Sequence, residues 1–143
     1  MTYSIFDLTA PCGIDCFNCE MFEQNITEDM KSKIATIVNC NTQDVPCKGC
    51  RIQGCCGVVM RECKTFTCVK EKGYDFCYQC EDFPCVKLQP CVSRADKLPH
   101  NLKVFNLCRI RNIGLEAWSK ETKEIRNKYF NGAMVIGLGP VTK

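Results

Sequence analysis

The sequence predicts a mainly α fold in two parts: an irregular, cysteine-rich module over residues 1–93 and a helical hairpin with a short tail over residues 94–143, joined in a single domain spanning residues 1–143. Three observations carry this. Of the 15 cysteines, 11 fall between residues 40 and 93. Gly49, Gly54, Gly57 and Gly73, with Pro46, Pro84 and Pro90, punctuate that same stretch and break regular structure there. Beyond residue 100, apolar residues recur at spacings of three and four, the period of a helix with one buried face.

Residues 1–24 hold the first cysteine cluster. Residues 25–39 read as a helix, with Asn25 as N-cap and Glu28 closing a capping box. Met30, Ile34, Ile37 and Val38 would form its apolar face. Residues 40–93 read as loops with one or two short helices, such as Phe66–Lys72. Asn101 can cap a helix through Asn112, with Leu102, Phe105 and Ile110 on one side and Gly114 past its end. Leu115, Trp118, Thr122, Ile125 and Tyr129 then mark an amphipathic helix ending near Gly132. The apolar tail Ala133–Leu138 suits a short strand or a docked segment, which leaves a small α+β arrangement open. No repeat of fixed period is evident.

Composition excludes several classes. The chain has 143 residues, 45% apolar and 24% charged, as a soluble globular domain has. That argues against global disorder. No apolar run approaches the ~18–20 residues of a membrane span, so no membrane partner is expected. The formal charge of +3 is small, but it is unevenly spread. Residues 94–128 hold nine Lys or Arg against four Asp or Glu; residues 1–93 hold nine against twelve. The opening segment shows no basic region, apolar core and cleavage site of a secretory signal, so a cytoplasmic location is expected. In a reducing compartment, dense cysteine reads as metal binding rather than as disulfides, and the odd count points the same way.

The spacing sharpens this. Three C-x-x-C pairs are present: Cys16/Cys19, Cys47/Cys50 and Cys77/Cys80. Two intervening residues let a tight turn aim both sulfurs at one ion. Cys40, Cys91 and Cys108 sit apart from the clusters. The other twelve are candidate ligands: Cys12, Cys16, Cys19, Cys47, Cys50, Cys55, Cys56, Cys63, Cys68, Cys77, Cys80 and Cys85. They would fill three four-thiolate Zn2+ sites, or two with thiols to spare. Adjacent Cys55 and Cys56 diverge, so they belong to different sites or one is structural. Cys16, Cys19, Cys47 and Cys50 make one natural grouping; Cys68, Cys77, Cys80 and Cys85 make another.

A [4Fe-4S] cluster is the alternative cofactor, since four thiolates suit it equally. Cys12-x3-Cys16-x2-Cys19 has the radical-SAM spacing. However, Asn18 stands where that motif has an aromatic, and the chain is short for the usual barrel. The compact bacterial ferredoxin run is absent, and Cys16-Phe-Asn-Cys19 lacks the strand–helix setting of a thioredoxin-like motif. His100 is the one histidine, and its place after Pro99 suits a surface or capping role. With neither a phosphate loop nor H-E-x-x-H, no catalytic residue is assigned, and an enzyme is not the favoured reading. Asp15, Glu81 and Asp82 read as solvent-exposed. The basic helices offer Arg109, Arg111, Lys120, Lys123, Arg126 and Lys128 as a possible nucleic-acid surface.

The ordered motifs resemble a known family. They run Cys12-Gly13-x-x-Cys16-x-x-Cys19, then Cys47-x-Gly49-Cys50-Arg51, then Cys63-x4-Cys68. Next comes Lys72-Gly73-x3-Cys77-x-x-Cys80-x-x-Phe83-Pro84-Cys85, and finally Asn101-Leu102 and Arg111-x-x-Gly114-x-Glu116-x-Trp118. Over roughly residues 11–120 this resembles the domain-of-unknown-function 3795 family, small cysteine-rich proteins of bacteria and archaea. The resemblance implies metal binding, with zinc the expected ion, in a prokaryotic cell, and no established activity. It implies ligand roles for Cys12, Cys16, Cys19, Cys47, Cys50, Cys63, Cys68, Cys77, Cys80 and Cys85, with Pro84 fixing the turn before Cys85 and Trp118 packing the helices onto the cysteine module. The expected protein is thus a small intracellular zinc-binding module for an unidentified macromolecular partner, with electron transfer or redox sensing, and nucleic-acid binding, as alternatives.

Overall fold

The computed structural model describes residues 2–143. About half the chain is helical, in five α-helices and six short 3-10 turns, accompanied by a small two-stranded sheet. α1 spans Glu28–Val38, α2 Cys50–Gln53, α3 Lys64–Lys72, α4 Lys103–Ile113 and α5 Leu115–Asn131. β1 (Ala133–Val135) and β2 (Gly139–Val141) form an antiparallel hairpin, with Met134 opposite Pro140. Short 3-10 turns, two of them at C-x-x-C pairs, fill the rest of the cysteine module. No helix among the described residues is long and apolar enough to cross a membrane.

The caps differ from those expected, for local reasons. α1 starts at Glu28, and its N-cap is Thr27, whose hydroxyl accepts the Met30 N–H at 3.2 Å. Asn25 is drawn elsewhere: its amide donates to the carbonyls of Phe17 and Cys19 at 2.8 and 2.9 Å. Ile37 is 80% exposed, and Ala35 is the helix's buried residue. Asn101 does not cap α4 either. Its side chain bonds both the N–H and the carbonyl of Cys91, while a 3-10 turn, Pro99–Leu102, leads into the helix. Phe105 faces outward, and Asn106 and Leu107 point in with Leu102 and Ile110.

One apolar core spans both halves of the sequence. Val69, Phe76, Cys77 and Leu88 from the cysteine module pack with Leu107, Ile110 and Trp118 from the hairpin. Trp118 is fully buried and meets Phe17 edge-on at 6.3 Å between ring centroids. Gly13 lets the chain approach α4. Its φ is +88°, and any side chain there would come within 2.9 Å of the Lys103 carbonyl oxygen. Asn106 then closes the contact by donating to the Gly13 carbonyl at 2.8 Å.

Along α5, three residues at four-residue spacing meet the first C-x-x-C turn. Trp118 touches Phe17, the Thr122 hydroxyl accepts from Asn18 at 2.8 Å, and Arg126 pairs with Asp15 at 2.7 Å. Asp15 is therefore buried rather than solvent-exposed. Truncating Trp118 to alanine should cost about 3–5 kcal/mol. Urea unfolding followed by far-UV circular dichroism measures it, and a loss below about 1 kcal/mol would mean that the helices do not need this anchor.

Candidate metal centre

The first and third C-x-x-C pairs adopt one turn twice. Cys16-Phe17-Asn18-Cys19-Glu20-Met21-Phe22 and Cys77-Tyr78-Gln79-Cys80-Glu81-Asp82-Phe83 share the pattern cysteine, aromatic, amide, cysteine, glutamate, any residue, phenylalanine. Both close with the same backbone bonds. Cys19 N–H reaches the Cys16 carbonyl at 3.0 Å, and Cys80 N–H reaches that of Cys77 at 3.2 Å. Phe22 and Phe83 then donate to the carbonyls of Cys19 and Cys80, each at 3.1 Å. In both turns the amide side chain reaches back three residues: Asn18 to the Asp15 carboxylate, and Gln79 to the Phe76 N–H. This duplication stands in the sequence as a repeated heptapeptide, but a single pair of copies sets no fixed period.

The second C-x-x-C pair is brought to the first by backbone pairing. Cys47 N–H donates to the Met21 carbonyl at 2.8 Å, and Glu23 N–H to the Cys47 carbonyl at 2.9 Å. Gly49 has φ +101°, and a Cβ there would stand 3.8 Å from the Cys16 Cβ, so the two turns are in close contact. The Gly49 N–H donates to the Cys47 sulfur at 3.4 Å. Met21 and Ile14 amides likewise donate to the Cys19 and Cys12 sulfurs two residues before them. Such amide–sulfur bonds temper thiolate charge.

The Cys16 and Cys50 thiols lie close enough to interact, and the Cys16 thiol also reaches the Ile14 carbonyl at 3.9 Å. The pair releases one proton readily and the second with difficulty: the interaction with Cys50 lowers the Cys16 pKa, and the same interaction raises that of Cys50. Burial raises the pKa of Cys12, Cys19 and Cys47, and pushes Cys56 up to about 12, with the charges of Cys47, Cys19 and Cys16 adding to it. Cys56 therefore faces the first group. Cys55 turns away, toward the carbonyls of Gln53 and Gly57 at 3.9 and 3.8 Å, so the adjacent pair diverges. Cys63, at the N-cap of α3, lies within electrostatic reach of Cys12.

A second group surrounds a cavity of about 30 Å³ lined by Cys68, Cys77, Cys80 and Cys85, with Lys72 and Asp82 at its edge. Cys77 N–H donates to the Pro11 carbonyl at 2.9 Å, which seats this turn beside Cys12. Burial, then the charges of Cys12, Cys85 and Cys68, pushes the Cys77 pKa up to about 12. Cys80 accepts a hydrogen bond from the Lys72 ammonium at 3.1 Å, and Lys72 also contacts Asp82 at 3.1 Å. The Phe83–Pro84 bond before Cys85 is cis. All 15 cysteines are unpaired. Among the described residues, no group of three or more His, Cys, Asp or Glu side chains has drawn into metal-holding geometry. The fold thus places the thiols in two neighbourhoods.

The Cys40 thiol donates to the Asn41 carbonyl, Cys91 is exposed, and Cys108 lies in an outer groove on α4 beside Phe105, Arg109 and Arg111. His100 has only cations, Lys103 and Arg94, as charged neighbours, and burial lowers its pKa. Arg51, which follows Cys50, is a clamp that sequence reasoning quoted without giving it a role. Its guanidinium lies over Phe6 and Phe76, and donates to the carbonyls of Thr9 and Asp75 at 2.8 and 2.6 Å. It thereby ties the second pair to the turn carrying the third.

Of the six cations offered as a nucleic-acid surface, three are engaged. Arg109 grips Glu121 through Nε and Nη2, one edge of its guanidinium, at 2.7–3.1 Å, Arg126 pairs with buried Asp15, and Lys128 lies 3.5 Å from Glu124. Replacing Arg126 with methionine leaves the Asp15 carboxylate buried without its partner, which should cost about 3–5 kcal/mol. Arg109→Met, at a half-exposed pair, should cost below about 1 kcal/mol. Chemical denaturation of the two variants compares them, and equal losses would reject the anchoring role given to Arg126.

The fold and these thiol neighbourhoods define a mainly helical, cysteine-rich domain built on repeated C-x-x-C turns. The profile of the family described as Protein of unknown function (DUF3795) matches residues 8–90, more than half of the chain. The chain belongs to that family. The match ends before the helical hairpin, so the Asn101-Leu102 and Arg111–Trp118 motifs lie outside it. No curated protein and no solved structure matches the chain.

Proposed function

We propose that the chain is a zinc-binding protein whose ions hold the cysteine module together, and that it serves as an interaction module in a reducing cytoplasm. The observation that carries the reading is the repeated turn. Each copy presents two cysteines on the same backbone frame, and each meets further thiols brought in from elsewhere in the chain: Cys47, Cys50 and Cys56 at the first, Cys68 and Cys85 at the second. Backbone amides aimed at Cys12, Cys19 and Cys47 suit thiolates rather than thiols. A four-thiolate zinc site has no open position for water, so its role is structural and no enzyme activity is proposed. Binding of structural zinc contributes roughly 10–16 kcal/mol to folding in small finger peptides, a scale that matters for a loop-rich segment. Apolar surface at the hairpin tip, where Ile136 is 98% and Leu138 74% exposed, supports an interaction role.

Metal and acid-labile sulfide content of anaerobically purified full-length protein, with an absorption spectrum, tests the proposal. Two or three zinc ions per chain with no sulfide and no visible band are expected. Iron with matching sulfide and a broad band near ~400 nm would replace zinc with an iron–sulfur cluster. Cys77→Ser should lose about one metal equivalent, whereas Cys108→Ser should lose none; unchanged content in the first removes Cys77 from the ligand set. Because burial keeps several of these thiols protonated, metal must displace protons, and the apparent zinc affinity should fall as pH is lowered. A competition titration at two pH values that found equal affinities would contradict this. On chelation, hydrogen exchange should quicken first within residues 40–93 and only later in α4 and α5.

A further inference from the structure

The two thiol neighbourhoods deal with negative charge by different means. Around the first, backbone amides of Met21 and Gly49 point at the sulfurs of Cys19 and Cys47. These donors are part of the fold and no side-chain substitution removes them. At the second, the donor is a side chain. Lys72, in the last turn of α3, places its ammonium 3.1 Å from the Cys80 sulfur and 3.1 Å from an Asp82 oxygen. The Cys80 sulfur and that same oxygen are 3.8 Å apart. All three groups line the cavity shared with Cys68, Cys77 and Cys85.

This arrangement has a consequence for bound metal. A zinc ion with four thiolates carries a net charge of −2. Asp82 would add a third negative charge within contact distance of one ligand. Like charges so close repel unless a cation lies between them. An exposed lysine–aspartate pair contributes little by itself, and Lys72 is 41% and Asp82 67% exposed. The third partner, the cysteine sulfur, distinguishes this pair from an ordinary surface contact.

We propose that Lys72 is a positioning residue of the second centre: its ammonium bridges the Cys80 thiolate and the Asp82 carboxylate, and so keeps a metal ion on Cys68, Cys77, Cys80 and Cys85. The inference rests on the zinc reading above and extends it to a residue that touches no metal. Partners of this kind change metal affinity by roughly 10–100-fold when removed.

The test is competition of the zinc-loaded full-length protein against a chromophoric chelator, using Lys72→Met, Lys72→Arg, Asp82→Asn and the double variant Lys72→Met/Asp82→Asn. Lys72→Met should weaken one zinc ion by about 10–100-fold and leave the others unchanged. Lys72→Arg should hold zinc like the wild type, since it restores the cation. The double variant should recover most of the loss, because it removes the stranded carboxylate along with the lysine. Wild-type retention in Lys72→Met overturns the inference. So does a double variant as weak as Lys72→Met, which would mean that lost packing, not charge, is responsible. Wild-type protein that binds no zinc refutes the metal reading itself, an outcome distinct from either.

Discussion

Much of the architecture hangs on a buried ion pair between the start of the first cysteine turn and the far end of the last long helix. Asp15 is 1% exposed, and one of its oxygens takes both Arg126 and Asn18. A buried pair recovers little net free energy once both ions have left water, so its value lies in specifying an arrangement. Here it fixes the rotation of α5. With Arg126 held, Thr122 and Trp118 fall on the same side, and the helix lies over Asn18 and Phe17. Burial of Trp118 then supplies apolar energy that the pair itself lacks. Arg109 and Glu121 join α4 to α5, and the Asn106 contact with Gly13 brings α4 onto the adjoining turn.

The cysteine module is poor in ordinary core. Between residues 40 and 93 the buried side chains are Val45, Cys47, Val69, Phe76, Cys77 and Leu88, and two of these are themselves cysteines. Side-chain clamps compensate in part. Arg51 spans two aromatic rings and two carbonyls, and Asn25 holds both Phe17 and Cys19. Burying thiols is inexpensive while they stay protonated, which is why burial moves their pKa values upward. Under the zinc reading, folding and metal loading would be one linked equilibrium, in which the ion replaces thiol protons.

Helix positions were largely legible in the sequence, because their signal is local. The spacing of Leu115, Trp118, Thr122, Ile125 and Tyr129 matched α5, and Gly114 and Gly132 marked its ends. The apolar tail became a short hairpin, as one of two expectations had it. Caps were less legible. Asn25 and Asn101 have the chemistry of N-caps, yet each is recruited by backbone groups eight or ten residues away, which no local pattern reveals. Asp15 reads as a solvated acid until Arg126, 111 residues later, is placed beside it. For the thiols, the fold gathers Cys68, Cys77, Cys80 and Cys85 around one cavity and sets the second C-x-x-C pair against the first. Cys56 joins the first group through a turn that spacing cannot resolve, and Cys12 lies between the two.

The duplicated turn also shows a division of labour between copies of one backbone frame. Two of their four differences change the chemistry of the side chain outright. Before the first cysteine, one copy has Asp15 and the other Phe76; after the second cysteine, one has Met21 and the other Asp82. The first substitution turns a copy toward the helices, through Arg126, or toward Arg51 and Tyr78, through ring stacking. The second puts an apolar side chain two residues after Cys19 in one copy, and in the other an acid that recruits Lys72. One backbone frame thus serves two sets of neighbours: the helical hairpin through Arg126, and Lys72 through Asp82.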